Sequence, residues 1–230
     1  VQPIDEISRI TRAKQVPLHV DAVQTAGTSD LSVDRLGVDL LSLSGHKFYG
    51  PKGVGALYIR RGTACWPLIH GGGQERGRRA GTENVASIVG ISTALDLARA
   101  DAAERAERMS RLRDRIIEQI RQSGSGVHLT GHPTQRLPNL ASFCFDDVSG
   151  ESLLLALDQR GIMVSTGSAC TSGSLEPSHV LRAMGLSERS SRGSLRVTVG
   201  KDTTEDDVDR FLREFRPIVE RLRRKIPPIA

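Results

Sequence analysis

Ser44-Gly45-His46-Lys47-Phe48-Tyr49-Gly50-Pro51-Lys52-Gly53 is the segment on which the reading of this chain turns. It follows the apolar run Asp39 to Ser44, which has the length and composition of a buried strand. Lys47 therefore sits just past a strand end, beside a histidine and close to glycines. Partial desolvation at such a place disfavours the ammonium form and suits a lysine whose amine forms a Schiff base. The glycines let backbone amides approach an anion, with the Ser44 and His46 side chains as further donors, so a bound phosphate fits the same segment. Taken alone, these residues fit a tight turn with an exposed lysine as well. They are not a Walker loop, because Gly50-Pro51-Lys52-Gly53 lacks its spacing and its hydroxyl.

Upstream, His19-Val20-Asp21-Ala22-Val23-Gln24 overlaps another apolar run, Leu18 to Ala22. A carboxylate at that strand end, near a Schiff-base lysine on a neighbouring strand, is the pair that pyridoxal phosphate demands: the acid keeps the pyridine nitrogen protonated and the ring electron-withdrawing. Gln24 is placed to donate to the ring hydroxyl oxygen. Without the lysine, Asp21 reads as a turn or cap residue. Ile4, Ile7 and Ile10 predict an amphipathic helix from Pro3 to about Gln15, and Val54 to Ile59 a third strand. Helix and strands separated by Gly-rich turns predict an α/β sheet with loops at its strand ends.

Downstream, Thr82 to about Arg99 is predicted helical, with Thr82 as N-cap and Val85, Ile88, Val89, Ser92 and Leu95 on one face. Asp101 and Glu104 open a further helix whose apolar stripe is Met109, Leu112, Ile116 and Ile120. Beyond Gln122 the stretches 127–130, 140–145 and 195–199 read as strands, and 151–159 and 204–224 as helices, the last kinked or restarted at Pro217. A domain boundary is placed near residue 100: residues 1–100 form one unit and 101–230 a smaller α+β unit.

Composition narrows the function classes. The 230 residues carry 32 Lys plus Arg against 27 Asp plus Glu, with hydrophobic residues at 38%, which is ordinary globular usage and argues against wholesale disorder. No stretch approaches the roughly 20 apolar residues of a membrane span. Basic clusters at Arg76, Arg78, Arg79 and near Arg221 to Lys225 lack interleaved aromatics, so nucleic-acid binding is not expected. Three cysteines, Cys65, Cys144 and Cys170, form no C-x-x-C pair and have no His at zinc spacing, which argues against a disulfide scaffold and an intrinsic structural metal site. With no signal segment at the start, a cytoplasmic, reducing compartment is the expectation.

Cys170 lies in Ser165-Thr166-Gly167-Ser168-Ala169-Cys170-Thr171-Ser172-Gly173-Ser174, small and polar on both sides, which predicts an exposed loop and a candidate nucleophile. Cys144, in an alternating strand, reads as structural. Gly71 to Asn84 gathers amides, arginines and a helix start, an anion-binding arrangement. Arg196, in an otherwise apolar strand, needs a carboxylate partner, and an internal ion pair is expected before a substrate carboxylate.

His-x-Asp-Ala-x-Gln, Ser-Gly-His-Lys-x-Tyr-Gly-Pro-Lys-Gly, Arg-x-Gly-Thr-Glu-Asn and the Ser-Ala-Cys loop occur in that order. Together they resemble the NifS/IscS-type cysteine desulfurases of the class V aminotransferase family, over essentially the whole chain. The resemblance implies the α/β fold of type I pyridoxal-phosphate transferases, with part of the large-domain sheet in residues 1–100 and the small C-terminal domain, carrying the Cys170 loop, in 101–230. It implies that Lys47 attaches the cofactor and moves protons, and that Asp21 and Gln24 contact the ring. Ser44 and His46 would bind the phosphate, Thr82 reaching it in the other subunit of a homodimer. Arg196 would clamp the substrate carboxylate. Cys170 would take sulfur from L-cysteine as a persulfide, leaving L-alanine, and pass it to an iron–sulfur scaffold or another acceptor, where it is able to ligate a shared cluster transiently. Roughly the first two-fifths of the family pattern has no counterpart here, including a ring-stacking histidine, a Gly/Thr phosphate loop and several strands. Alternatives are a non-catalytic fragment retaining dimer or scaffold surfaces, a selenocysteine lyase, or a plain class V aminotransferase.

Overall fold

The computed structural model describes residues 1–166 and 178–224. The chain divides into two compact units, Gln2–Arg105 and Ala106–Ala230, with Val1 counted in the second. In the first unit, α1 (Ile4–Ala13), β1 (His19–Asp21), α2 (Val33–Leu36), β2 (Leu40–Ser44), β3 (Gly55–Ile59), the single turn α3 (Gln74–Gly77) and α4 (Val85–Ala100) follow in order. A 3-10 turn, Gly45–Phe48, closes β2. The sheet order is β1-β2-β3, with β1 parallel to β2 and β3 antiparallel to it.

Alternation along these short strands decides what each face carries. Ala22, Val38 and Leu41 are buried with Leu36, and Ile4, Leu18 and Val20 pack against them. His19, Asp21, Ser42 and Ser44 stand on alternate positions, with Asp21 opposite Ser42 in register. The α1 stripe differs from the expected one. Ile10 is exposed, and the buried residue is Ser8, whose hydroxyl donates to the Gly37 carbonyl at 3.0 Å. The helix thus presents Ile4, Ile7, Ser8 and Thr11, the i, i+3, i+4, i+7 set, and leaves Ile10 outside.

α4 departs further. Its buried side is Ile91 and Ala98, with Ala94 and Leu95 partly buried, against Ala26 and Phe48. Val85, Ile88 and Val89, expected to face the core, are 66%, 42% and 60% exposed. The N-cap is Asn84, whose Oδ1 accepts the Ser87 amide at 3.2 Å, and not Thr82. Asn is a strong cap, and its short side chain reaches the amide of the third helical residue, in the first turn.

The second unit holds α5 (Ala102–Arg121, beginning in the first unit), β4 (Val127–Leu129), β5 (Leu140–Phe145), α6 (Gly150–Asp158), α7 (His179–Ala183), α8 (Glu188–Arg192), β6 (Ser194–Thr198) and α9 (Glu205–Arg224). The antiparallel sheet β4-β5-β6 buries Ala141, Phe143, Phe145, Leu195 and Val197. Met109, Leu112, Ile116 and Ile120 of α5 fall in that core, as their spacing predicts, and so do Val208, Phe211 and Phe215 of α9. Helix α9 runs through Pro217. Phe215 before it and Ile218 and Val219 after it are all buried, at about 1.5–3 kcal/mol each, against about 3 kcal/mol for an interior proline. Packing therefore outweighs the lost hydrogen bond.

Cys144 on β5 is fully buried, and burial, with the nearby Asp146 charge adding to it, pushes its thiol up to about 11. It is expected to stay unmodified by iodoacetamide in the native chain and to react once the chain is unfolded in denaturant, as read by peptide mass spectrometry. Native labelling of Cys144 at the rate of an exposed thiol would contradict its assignment to the core.

No described helix is long and apolar enough to cross a membrane.

Candidate active site

The parallel pairing of β1 and β2 brings Asp21 and Ser44, each the last residue of its strand, to the same end of the sheet. Ligands of open α/β sheets bind at that carboxyl end. Asp21 is exposed there, and its Oδ1 accepts the Val23 amide at 2.9 Å, which fixes the carboxylate in a turn and leaves Oδ2 for another partner. Gln24 follows in the same turn, also exposed. Two residues upstream, His19 Nε2 and Ser42 Oγ lie 2.7 Å apart across the strand pair.

At the end of β2, Ser44 Oγ and His46 Nδ1 lie 2.9 Å apart. The tight turn that carries them requires Gly45: a Cβ there would come within 3.0 Å of the Pro51 carbonyl oxygen and 3.2 Å of Val54 Cγ1. Tyr49 ends the turn at φ 69°, a left-handed conformation that costs a non-glycine residue energy. Lys47 rides on this turn and is exposed, so the first unit does not itself supply the desolvation expected around it. Thr82 is exposed in the segment leading to α4 and makes no hydrogen bond to these groups among the described residues. In the stretch before it, Glu75 and Arg76 are left-handed, and Arg79 Nη1 donates to the Ala80 carbonyl at 2.7 Å.

Arg196 belongs to the second unit. It stands on β6 opposite Ser142 of β5 and is half-buried. Among the described residues no carboxylate lies within ion-pair distance of its guanidinium, which corrects the expectation of an internal salt bridge. Its neighbour is Ser165, 31 positions away in sequence, whose Oγ accepts Nη2 at 3.3 Å. Cys170 lies outside the described residues. The His19–Ser42 and Arg196–Ser165 contacts carry no local sequence signal, because each joins residues brought together by strand pairing.

The class V aminotransferase family profile matches residues 1–211. The chain belongs to the class V aminotransferase family. A cysteine desulfurase IscS of Dictyoglomus turgidum is 52% identical over 223 residues, 97% of this chain and 57% of that protein. One from Methanosarcina thermophila is 52% identical over 227 residues, 99% of this chain and 56% of that protein. Among solved structures, a NifS-like protein matches with TM-score 0.86 at 40% identity, over 96% of this chain and 57% of its own. A NifS-like protein from Rickettsia africae matches with TM-score 0.87 at 30% identity, over 96% and 58%. The chain thus spans a little over half the length of the relatives it matches. The fold is the α/β type I fold of these class V proteins, whose cofactor is pyridoxal phosphate.

The donor set at the β1–β2 end fits that cofactor. A hydroxyl and an imidazole beside a glycine-tightened turn suit a phosphate, an exposed carboxylate suits a pyridinium, and an exposed amine suits an aldehyde.

Proposed function

We propose that this chain carries the catalytic lysine and the sulfur-accepting cysteine of a cysteine desulfurase, which converts L-cysteine to L-alanine. The observation that carries this reading is the gathering of Asp21, Ser44, His46 and Lys47 at one end of a parallel strand pair, in a chain about half identical to proteins of that name. Residues 1–100 then form part of the large cofactor-binding domain, and residues 101–230 the small domain with the Cys170 loop.

Ser44 and His46 would hold the cofactor phosphate, Asp21 the pyridinium proton and Gln24 the ring hydroxyl oxygen. When bound, pyridoxal phosphate supplies a sink for the electron pair left on carbon as the carbon–sulfur bond breaks. Lys47 Nζ attaches the cofactor and shuttles the proton at the substrate carbon. The Arg196 guanidinium, which has no carboxylate partner among the described residues, binds the substrate carboxylate. The Cys170 thiolate attacks the substrate sulfur. A sulfur–sulfur bond forms, the carbon–sulfur bond breaks with its pair remaining on carbon, and protonation there completes L-alanine. The persulfide is then passed to an iron–sulfur scaffold or another acceptor protein. The exposed stripe Val85, Ile88 and Val89 supports a homodimer in which Thr82 reaches the phosphate of the other subunit.

A second reading, a non-catalytic binding fragment, is favoured by the chain's span of 57% of its relatives and by the same exposed stripe. One assay decides. The chain loaded with pyridoxal phosphate and given L-cysteine is expected to release L-alanine in equal amount to the sulfur first bound on the protein. Cofactor-loaded chain that forms neither product favours the fragment, and turnover of selenocysteine alone indicates a lyase.

A further inference from the structure

Arg196 is one member of a cross-strand row on the sheet face turned away from the Phe143–Phe145 core. Thr130 donates its amide to the Ser142 carbonyl at 2.9 Å and its hydroxyl to Ser142 Oγ at 2.7 Å. Ser142 stands opposite Arg196, and Arg196 is bridged in turn to Ser165. That last bridge is reciprocal: the Arg196 amide donates to the Ser165 carbonyl at 2.6 Å, and the Ser165 amide to the Arg196 carbonyl at 3.1 Å. The chain around Ser165 is therefore a short fourth strand at the β6 edge, present at this one residue. Residues directly opposite in such a row share a face, which places the Ser165 side chain beside the arginine.

We infer that Ser165 is a positioning residue for the arginine that binds the substrate carboxylate. The inference rests on the reading of Arg196 given above. A long arginine side chain has many rotamers, and holding it ready for a ligand removes part of the entropic cost of binding. The Ser165 hydroxyl accepts one Nη2 hydrogen. Four of the five guanidinium N–H groups stay available, enough for the two parallel bonds of a carboxylate. A hydroxyl oxygen suits this task better than an aspartate would. It orients the cation without neutralising it, so the charge is kept for an anionic ligand. The ligand class selected is accordingly an α-amino acid with a free carboxylate, as opposed to the corresponding amine.

Calorimetric binding of L-alanine and of ethylamine, its carboxylate-free counterpart, tests this on the cofactor-loaded chain. Ser165→Ala is expected to weaken L-alanine about tenfold, the size of a charge-assisted hydrogen bond, and to leave ethylamine unchanged. Ser165→Thr, which keeps the hydroxyl, should bind L-alanine within about twofold of the original chain. In an Arg196→Ala background, Ser165→Ala should cause no further loss. Unaltered L-alanine binding by Ser165→Ala, while Arg196→Ala loses it, overturns the positioning role alone. Equal losses in Ser165→Ala and Ser165→Thr also overturn it, because they mark a purely structural site. No carboxylate-dependent binding, or none lost in Arg196→Ala, overturns the reading of Arg196 and this inference with it.

Discussion

Lys47→Ala is expected to remove the saturable visible absorption band that pyridoxal phosphate gains on titration into the chain. Reduction with borohydride before digestion should attach the cofactor to the peptide holding Lys47 in the original chain and to no peptide of the variant. Geometry makes this test clean. Lys47 is exposed on a turn whose shape is set by Gly45 and by the left-handed Tyr49, and no hydrogen bond of the turn depends on its side chain among the described residues. Truncation at such a position costs within about 0.5 kcal/mol of stability, so loss of the band cannot be assigned to unfolding. Lys52, exposed on the same Gly-rich segment, is the internal control, and Lys52→Ala should titrate normally. A band that survives in Lys47→Ala and vanishes in Lys52→Ala would move the attachment to the second lysine. A band in neither the original chain nor any variant would mean that the β1–β2 end does not bind the cofactor without further residues.

What singled out Lys47 as a candidate was local: a strand, a glycine, a histidine and a lysine in immediate succession. Asp21 was singled out in the same way, and all six strands were legible, their apolar runs fixing their positions to within a residue or two. The failures have a common physical origin. On α4 the sequence offers two apolar stripes, Val85-Ile88-Val89 and Ile91-Ala94-Leu95-Ala98, and periodicity does not say which one meets Phe48 and Ala26. Two of the four residues that pack are alanines, and the helix lies close to the tight turn at Gly45 and Gly50, where a Cβ on Gly50 would come 3.1 Å from Ala94 Cβ. The exposed stripe is made entirely of β-branched apolar side chains, a pattern that fits a surface meeting another polypeptide.

For the site, legibility followed chain separation. Groups within a few residues of one another, such as Ser44 with His46, could be read together. Arg196 posed the harder case, since an arginine in an apolar strand demands a partner and the sequence holds 27 acidic residues from which to choose one. The antiparallel register settles its surroundings, placing serines and a threonine across from it and beside it. A cation left among hydroxyls retains its charge for a ligand, whereas one paired with an internal carboxylate would have to exchange partners to bind.

Cys170→Ala is expected to reduce protein-bound persulfide to background while the cofactor band of the loaded chain stays intact. Cys144 is buried behind the β5 core, and a thiol pushed up to about 11 is ionised in roughly one molecule in 3,000 at pH 7.5, so it offers almost no thiolate. Cys65 is half-buried beside the exposed Trp66 and followed by Pro67, whereas Cys170 is flanked on both sides by glycine and serine. Sulfur transfer needs a thiolate that reaches a substrate sulfur and then a second acceptor, which a core cysteine cannot do without unfolding its strand. Cys65→Ala should therefore form persulfide at the original yield, and Cys170→Ala should form none. The two variants are compared after exposure to L-cysteine, by mass spectrometry of alkylated peptides and by release of sulfide on reduction. Persulfide persisting in Cys170→Ala and lost in Cys65→Ala would transfer the acceptor role to Cys65. It would also leave the Ser165–Arg196 row unaffected, because carboxylate binding and sulfur acceptance draw on different groups.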